Sequence, residues 1–570
     1  MRLLFPRWAS RGALLACAAT AGGCEYIVGT DAIGRPYPVA REPAGDAGTD
    51  ADPSACSHTR ECVERLGEHH LCRRDRATCV PLFSEHCREV IGDYTNDGAL
   101  LLGSIGPTEG PNASTGLSNL WGIKLAVEDF TVIGNGLPPV PSTGRRPIVV
   151  VHCDDGASSD QAVTAARHLT ADLGVSAIIG PSFSGITAAV VSQVAVPAGV
   201  LVMSPSATSA SLTDLPDDDL LWRTAPSDAI QAQAQVLLIA KVREIIRQRQ
   251  RIMSGYPMKL AVLHKGDPYG IGLAEDVART LIWNEGSASS DPNAPYVKRF
   301  NYGDPGNVAA APTQYDLALA KVLELEPHLV LLYGTGEVAI LLQMIEDAWD
   351  EETQPRPHYV FADGAVAAEV SEMIAALDPD GSRNLADRVF GTEPGFLGSN
   401  YELFEQLYVS RADAPHVPIT FGSANSYDAL YVLAYASVVA GKAHPSGSDL
   451  AMGISHLVPG PGVPLTDVGA TRINATFREL SSGGRVDLSG ASGPLDFDLA
   501  TGDVASGILL WCAQVQADGS VKLVPTFETY DPKLDDLVRV GETEIRCGQY
   551  PLPDDPGTIL DEVSLPQRAP

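Results

Sequence analysis

Two short loops rich in hydroxyl residues lie within residues 175–208. Each loop follows an apolar segment typical of a β-strand, and one helical segment joins them. In a unit of one strand, a helix and a second, parallel strand, the C-terminal ends of both strands meet at one sheet edge. The pattern therefore predicts that Ser182, Ser184, Ser206 and Thr208 face one crevice. Hydroxyl groups and the free N–H groups at a helix start are the donors that a carboxylate needs, so we expect a small-molecule clamp here.

The size and charge of the chain restrict the classes of function. Its 570 residues exceed what one hydrophobic core usually supports, which predicts two or more domains. Lysine and arginine number 40 and the acidic residues 71, so the formal charge is −31. This charge would repel a phosphate backbone, which argues against a nucleic-acid partner. Acidity of this kind is typical of a soluble, charged surface.

The N-terminus has the pattern of an export signal. Arginines precede a run of apolar and small residues that is too short to cross a membrane. Residues 21–24 resemble a bacterial lipobox, which predicts removal of residues 1–23 as a signal peptide and a lipid anchor on Cys24. Cys17 is an alternative lipid site, but cleavage there leaves an apolar region shorter than about 7 residues. Residues 24–55 are rich in Gly, Ala, Asp and Pro, which predicts a flexible tether.

A cluster of cysteines follows the tether, at Cys56, Cys62, Cys72, Cys79 and Cys87. Their spacing is too wide for the paired cysteines of common zinc modules, although His69 and His70 leave a metal site as an alternative. In an exported chain we instead expect a small module over residues 56–87, held by two disulfides among the first four cysteines. The spacing does not decide their connectivity.

Four cysteines remain for further bridges, namely Cys87, Cys153, Cys512 and Cys547. They form an even set, which suits an oxidising compartment. We expect Cys512 to pair with Cys547.

Beyond Gly98, apolar runs alternate with amphipathic segments. The runs predict strands at 99–105, 147–152, 258–263, 328–333 and 358–362, and helices at 115–130, 158–173, 269–283 and 337–348. This alternation indicates an α/β fold with parallel sheets. Two doubly wound lobes are the economical solution, and small molecules usually bind in the cleft between such lobes.

Several motifs in the main body resemble the type 1 periplasmic binding proteins of the branched-chain amino acid class. They lie, in this order, at residues 179–184, 203–208, 222–228, 267–274, 426–430 and 492–498. The resemblance covers roughly residues 98–529, and the order and spacing of the motifs are more specific than any single one.

The resemblance implies a chain that crosses three times between its lobes. Lobe one would then comprise residues 98–225 and 390–452, and lobe two residues 226–389 and 453–530. Residues 531–570 would form a C-terminal extension.

The resemblance also implies roles for particular residues. In that family two loops of lobe one hold the carboxylate of an amino acid, and the matching positions are Ser184, Ala207 and Thr208. The alternative for Ser184 and Thr208 is that they only cap helices. Tyr269 matches a tyrosine that closes over the ligand from lobe two, with a core tyrosine as the alternative.

Two positions depart from the family pattern. Residues 334–337 lack the aromatic side chain that often follows this strand. The glutamate that commonly receives the ligand's ammonium group is replaced near residues 361–364, where Asp363 could take that role with a shorter reach. Asp363 could equally be a turn residue.

The sequence argues against an enzyme. Residues 180–185 do not meet the Gly-x-Ser-x-Gly spacing of a hydrolase, and the lysine of a phosphate loop and the HExxH zinc motif are absent. We therefore expect no catalytic residue, metal or cofactor. The sequence predicts an extracytoplasmic lipoprotein that closes on a small polar ligand, an amino acid, for delivery to an ABC permease. The alternative is a sensor or cell-surface interaction module with a membrane receptor, which the cysteine module favours.

Overall fold

The computed structural model describes residues 28–30, 36–38, 54–141, 143–411 and 416–539. The chain divides into two units, residues 1–55 and residues 56–570. In the first unit, strands β1 (Val28–Thr30) and β2 (Pro36–Pro38) pair antiparallel. The tether predicted over residues 24–55 therefore contains a two-stranded sheet. The predicted signal peptide and Cys24 lie outside the described residues.

The second unit begins with the cysteine module, built from α1 (Thr59–Leu66), β3 (His70–Arg73) and β4 (Thr78–Pro81). Disulfides join Cys56 to Cys72 and Cys62 to Cys79, as expected for four of its cysteines. Because these sulfur atoms are paired with each other, the metal alternative fails. His69 instead stacks on Phe83, with ring centroids 4.3 Å apart.

The module is packed on the main body, and its predicted end at residue 87 is wrong. Cys87 begins strand β5 (Cys87–Ile91), which adds an antiparallel edge to the first large sheet, and its sulfur is bonded to Cys153. Leu82 is buried among residues of that lobe. Arg73 Nη1 donates to the carbonyl oxygen of Asp172 at 2.7 Å. The module thus shares the core of lobe one, which offsets its own low apolar content.

Lobe one contains a six-stranded sheet. Besides β5, its strands are β6 (Leu100–Ile105), β7 (Ile148–Cys153), β8 (Ala177–Ile179), β9 (Leu201–Ser204) and β10 (Leu221–Arg223). Their order is β10-β9-β8-β6-β7-β5, and all pairs except β5 with β7 are parallel. The helices are α2 (Ala113–Val132), α3 (Ser159–Arg167), α4 (Ser184–Val190) and α5 (Val196–Ala198). π-Helical turns at His168–Leu173 and Val191–Ala195 continue α3 and α4. The predicted strands and helices of this region are confirmed within a few residues.

Lobe two begins with the same alternation. Its elements are α6 (Asp228–Arg249), β11 (Leu260–His264), α7 (Pro268–Thr280), β12 (Ile282–Trp283), β13 (Gly286–Ser287), β14 (Val297–Asn301), α8 (Tyr315–Leu325), β15 (Leu329–Tyr333), α9 (Val338–Ala348), β16 (His358–Phe361), α10 (Ala368–Leu377) and β17 (Val389–Pro394). The helix predicted over 269–283 ends at Thr280, because Ile282 and Trp283 pair with residues 286–287 instead.

The chain then returns to lobe one. The segments are α11 (Ser399–Ser410), α12 (Ser423–Ala440), α13 (Gly447–Ile454), β18 (Leu465–Asp467), α14 (Ile473–Ser481) and β19 (Asp487–Ser489). Helix α12 is buried along nearly its whole length against α2. The close approach is possible because Gly122 has no side chain: a Cβ there would lie 2.4 Å from the carbonyl oxygen of Ser423.

Strands β20 (Ile508–Val515), β21 (Val521–Asp531) and β22 (Asp536–Arg539) complete lobe two. Its sheet has the order β14-β11-β15-β16-β17-β20-β21-β22, and the last three strands are antiparallel. The predicted extension over 531–570 therefore starts with a strand of this sheet. Cys512 is buried in lobe two. Its predicted partner, Cys547, lies outside the described residues, so that bridge stays a prediction.

Two predicted lobe boundaries differ from the structure. β17, placed with lobe one by the predicted start at residue 390, pairs with β16 of lobe two. Ile473, Phe477 and Leu488, predicted for lobe two, are buried in the core of lobe one. The segment after residue 452 stays with lobe one because its apolar side chains cover α2 and α12, which would otherwise be exposed.

The chain crosses between the lobes three times, as the family resemblance implied. The first crossing, at Pro226, forms a β-bridge with Val504 of the third. The second joins the third through a hydrogen bond of 3.0 Å from Gly395 N to Gly507 O. Buried Arg223 pairs with Asp503, with Nη2 and Oδ1 2.6 Å apart. The three crossings thus lie side by side and can act as one hinge.

Candidate functional site

A narrow cavity of about 20 Å³ lies between the two lobes. This volume has room for a single water molecule, so the lobes are closed on one another. Lobe one lines the cavity with Thr115, Ser182, Phe183, Ser184, Ser206 and Phe421, and lobe two with Asp267, Tyr269, Thr335, Asp363, Gly364 and Val366.

Serine side chains at the strand ends of lobe one present hydrogen-bond donors. Ser182 Oγ accepts from Asn119 Nδ2 at 3.2 Å, and Ser184 Oγ accepts from Ser209 N at 3.1 Å. Both hydroxyl hydrogens are therefore still available to donate. Ser206, in contrast, donates its hydrogen to the carbonyl of Ser182 at 3.0 Å. The arrangement provides two donors on one wall, which suits a carboxylate.

The structure brings together three of the four hydroxyl residues that the sequence singled out, Ser182, Ser184 and Ser206. Thr208 and Ala207 lie behind this wall. The N–H of Ala207 donates to Ser204 Oγ at 3.2 Å, and its methyl group packs in an apolar cluster. The Thr208 hydroxyl lies beside Asp228. Burial raises the pKa of the Asp228 carboxyl, and the Thr208 hydroxyl lowers it by a smaller amount. Neither Ala207 nor Thr208 lines the cavity, and their contact with the ligand stays a prediction.

A buried arginine explains the direction of that loop. Arg223 Nη1 donates to the carbonyl oxygens of Ala207 and Ser209, at 3.3 and 2.9 Å. These bonds turn the backbone after Ser206 toward the lobe interior. They also link the loop to the hinge, because the same guanidinium pairs with Asp503.

Tyr269 and Asp363 line the opposite wall of the cavity, and their contact with the ligand stays a prediction. Asp267 caps α7 by accepting from Gly270 N at 2.9 Å, which places Tyr269 in the first turn of that helix. Tyr269 donates from its hydroxyl to Asp363 Oδ1 at 2.8 Å and accepts from Gly364 N at 3.2 Å. Tyr269 therefore lines the cavity and also orients Asp363.

Asp228 joins Asp363 in a buried acid cluster, and sequence reasoning gave it no role. Gln231 Nε2 bridges the two, at 2.5 Å from Asp363 Oδ1 and 3.1 Å from Asp228 Oδ1. Burial raises the pKa of Asp363 to about 6. Burial and the charge of Asp363 raise the pKa of Asp228, and they raise that of nearby Glu393 to about 8. Asp228 is the last residue of the motif at 222–228, on which the family resemblance partly rests. Its position in that motif was the only sign in the sequence of a role at the site.

An acid cluster of this kind favours a cationic group. The carboxylates lie in a low-dielectric environment, and Asp228 Oδ2 is buried with no hydrogen-bond partner among the described residues. A ligand ammonium group would supply both the missing charge and the missing hydrogen bonds. The raised pKa values show that the protein by itself does not fully compensate these charges.

The residues that depart from the family pattern have a structural role. Glu337 Oε1 accepts from the hydroxyl of Tyr302 at 2.8 Å, and its other oxygen accepts from the Thr335 hydroxyl. Burial opposes ionisation, but buried Lys265 and these hydrogen bonds hold the pKa of Glu337 below its ordinary value. Lys265 also pairs with Asp267, with Nζ and Oδ2 3.2 Å apart. This network fixes the loop that carries Thr335 at the cavity.

Direct bonds between the lobes hold the cleft closed. Ser114 Oγ, at the start of α2, donates to Glu369 Oε2 of lobe two at 2.6 Å. Gly336 N of lobe two donates to Asn112 Oδ1 at 3.0 Å, and Ser209 Oγ donates to the carbonyl of Pro268 at 3.0 Å. We call these three contacts the closure contacts.

Comparison with known proteins identifies a family and relatives that this chain resembles. Residues 100–301 match a family described as periplasmic binding protein. Leu/Ile/Val-binding protein homolog 1 of Brucella suis is 26% identical over 341 residues, which cover 60% of this chain and 78% of that protein. The protein of the same name from Brucella melitensis matches to the same extent.

Solved structures share the fold at lower identity. The leucine binding protein LivK from Thermotoga maritima has a TM-score of 0.53 and 17% identity, covering 76% of this chain and 99% of that one. A solute binding protein of an ABC transporter from Rhodopseudomonas palustris, in complex with 3,4-dihydroxybenzoic acid, has a TM-score of 0.52 and 15% identity, covering 76% and 98%. Residues 100–301 are thus similar to the periplasmic binding proteins, and the chain shares the fold of these solved binding proteins.

The Brucella relatives are named as Leu/Ile/Val-binding proteins, and the matching family is described as periplasmic. In the part of the chain that the structure describes, no helix is both long and apolar enough to cross a membrane.

Proposed function

We propose that this chain is a periplasmic binding protein that captures a small zwitterionic ligand, an amino acid, by closing its lobes. The observation that supports this is the opposition of two kinds of group across the cavity. Ser182 and Ser184 offer hydroxyl donors to a carboxylate, while Asp363 and Asp228 offer negative charge to an ammonium group. Tyr269 would sit over the ligand and hold Asp363 in place.

The charges around the cavity favour an amino acid over a simple aromatic acid. Among the described residues that line it, two are aspartates and none is a lysine, arginine or histidine. A benzoate would bring a second negative charge with no cation to offset it, and unpaired buried charge is costly. An amino acid instead brings one charge of each sign.

Hinge closure would couple binding to delivery. A ligand that contacts both walls stabilises the closed state by its additional contacts there. We infer that an ABC permease recognises the closed form, and that a lipid on Cys24 holds the protein at the membrane. The Streptococcus pneumoniae protein LivJ is described as a branched-chain amino acid transporter substrate binding protein in complex with isoleucine. This description and the name of the Brucella relatives favour an amino acid as the ligand.

A sensor or interaction module is the second candidate. The observation in its favour is the cysteine module, which is packed on lobe one and takes no part in the cavity. Uptake of the radiolabelled ligand by cells separates the two candidates. Loss of uptake after deletion of the gene would support transport, whereas normal uptake would support sensing.

Thermal unfolding of the oxidised chain without residues 1–23 tests the ligand class. A ligand at one hundred times its dissociation constant stabilises the native state by about 2.7 kcal/mol. We expect an upward shift with at least one amino acid, and no shift with its carboxyl-amidated form or with 3,4-dihydroxybenzoate. A shift only with the aromatic acid would refute the proposal.

A further inference from the structure

A second, larger groove lies on lobe two, at the C-terminal end of α6. It encloses about 670 Å³, and three of its lining residues are arginines: Arg243, Arg247 and Arg251. We call it the arginine groove. It is separate from the cleft, because Asp228 at the cleft and Arg249 stand at opposite ends of α6, about 30 Å apart at 1.5 Å per residue.

The arginine groove is a local excess of positive charge on a chain of formal charge −31. Arg243 Nη1 donates to the carbonyl of Ile282 at 3.1 Å, and Arg247 Nη1 to that of Met253 at 3.1 Å. These bonds orient the guanidinium groups without neutralising them. In the described ranges, no carboxylate oxygen lies within 4.0 Å of the three groove arginines. Glu244 and Glu285 line the groove but leave it one positive charge in excess.

Exposed apolar side chains accompany the arginines. Met253 is 77% exposed, Tyr256 59% and Ile282 54%. Arginine and aromatic residues beside exposed apolar surface are the composition typical of an interface. The groove therefore fits a segment that carries both carboxylates and apolar side chains.

The described part of the chain ends beside α6, and its last strand runs in the direction of this groove. Leu537 of β22 and Leu237 of α6 both pack against a buried cluster that contains Ala234 of α6. Arg539 is paired in register with Glu528, whose carboxylate holds Lys241 of α6 at 2.5 Å. The part of α6 beside β22 thus advances from the region of Ala234 to Lys241 as the strand proceeds. The described strand therefore runs along α6 in the direction of Arg243 and Arg247.

The C-terminal segment beyond Arg539 has the required composition. Residues 553–565 contain four carboxylates, Asp554, Asp555, Asp561 and Glu562, together with apolar Ile559, Leu560, Val563 and Leu565, and no lysine or arginine. With Cys547 bonded to Cys512 as expected, the chain is held near α6, because Cys512 is buried in one cluster with Val242 and Ile246. The six residues from 548 to Pro553 can then span about 20 Å. The distance along α6 from Lys241 to the far end of the arginine groove is about 15 Å. The chain before Pro553 is therefore long enough for residues 553–565 to reach the arginine groove.

We propose that residues 553–565 dock in the arginine groove of the same molecule. Asp554, Asp555, Asp561 and Glu562 pair with the three arginines, and the apolar side chains of the segment cover Met253, Tyr256 and Ile282. The occupied groove no longer offers unpaired cations to other anions. The proposal concerns a surface far from the cleft and does not depend on the ligand of the cleft.

Hydrogen exchange of the C-terminal segment in the whole oxidised chain tests this docking. We expect the amides of residues 553–565 to exchange at least tenfold more slowly than those of a free peptide of the same sequence. Replacing Asp554, Asp555 and Asp561 by Asn and Glu562 by Gln should return exchange to the free-peptide rate. These substitutions leave the folded body unchanged, so misfolding cannot explain the result. Addition of salt should have the same effect.

A second variant approaches the contact from the groove. R243Q, R247Q and R251Q together should also release the segment, whereas the matched change R472Q, R478Q and R485Q on lobe one should not. Free-peptide exchange in the unmodified chain would overturn the proposal. Protection that grows with protein concentration would also overturn it, since the segment would then dock on a second copy.

Discussion

Replacing Asp363 with asparagine should stabilise the ligand-free protein. The amide oxygen of asparagine can still accept from Gln231 Nε2 and from the Tyr269 hydroxyl, which lie 2.5 and 2.8 Å from Asp363 Oδ1. Burial raises the pKa of Asp363 from 3.8 to about 6. A pKa that is raised on folding means that stability falls as the pH rises from about 4 to about 6 and stays low above that range. At about 1.4 kcal/mol per pKa unit, the charge costs on the order of 3 kcal/mol at pH 7.

The same substitution should weaken binding of a zwitterionic ligand. Asp363 is proposed to accept from the ammonium group, and a hydrogen bond to a charged group contributes about 1.5–3 kcal/mol. Its loss corresponds to an affinity that is lower by about 10-fold to 150-fold. The variant would therefore unfold at a higher temperature and bind more weakly, a combination that a purely structural role for Asp363 does not produce.

Calorimetric unfolding and isothermal titration measure the two effects on the same samples. Asp155→Asn is the matched control, because burial raises the pKa of Asp155 to about 7 and its Oδ1 accepts from Ala157 N at 2.9 Å, but Asp155 does not line the cavity. The control should gain stability and keep its affinity. Unchanged affinity in Asp363→Asn, or a clear loss of stability, would refute the reasoning.

Three further predictions concern the cleft. Ser184→Ala should lower the affinity for a carboxylate ligand about tenfold in titrations, and an unchanged affinity would contradict the role of Ser184 as a carboxylate donor. Affinity should be constant between pH 7 and 8 and fall about tenfold from pH 7 to pH 5, since protonation of Asp363 removes the partner of the ammonium group. A flat profile in titrations from pH 5 to pH 8 would contradict the assignment. Glu369→Gln weakens the closure contact to Ser114. X-ray scattering should then detect a more open ligand-free protein, and titration should give a several-fold lower affinity for every ligand. An unchanged scattering curve would argue against the contact.

Local patterns were sufficient to predict most of lobe one and the first half of lobe two. Parallel strands such as β7 and β15 are buried on both faces, so each appears in the sequence as a continuous apolar run between turns. The same pattern could not assign residues 453–497 to a lobe. Their side chains cover α2 and α12, and such long-range packing leaves no periodic signal in the sequence.

By itself, the sequence determined that two hydroxyl-rich loops lie at one sheet edge, because parallel strands joined by a helix must end there. It also determined that a helix begins at about Tyr269, where the predicted helix starts. Only the tertiary structure decided that Ser206 and not Ala207 faces the cavity, since Arg223 turns that loop inward. Likewise, Asp228 became part of the site through its link to Asp363 by Gln231, a contact between groups far apart in the chain. A strand end is set by local geometry, whereas the direction of each side chain within a loop depends on the groups that fold against it.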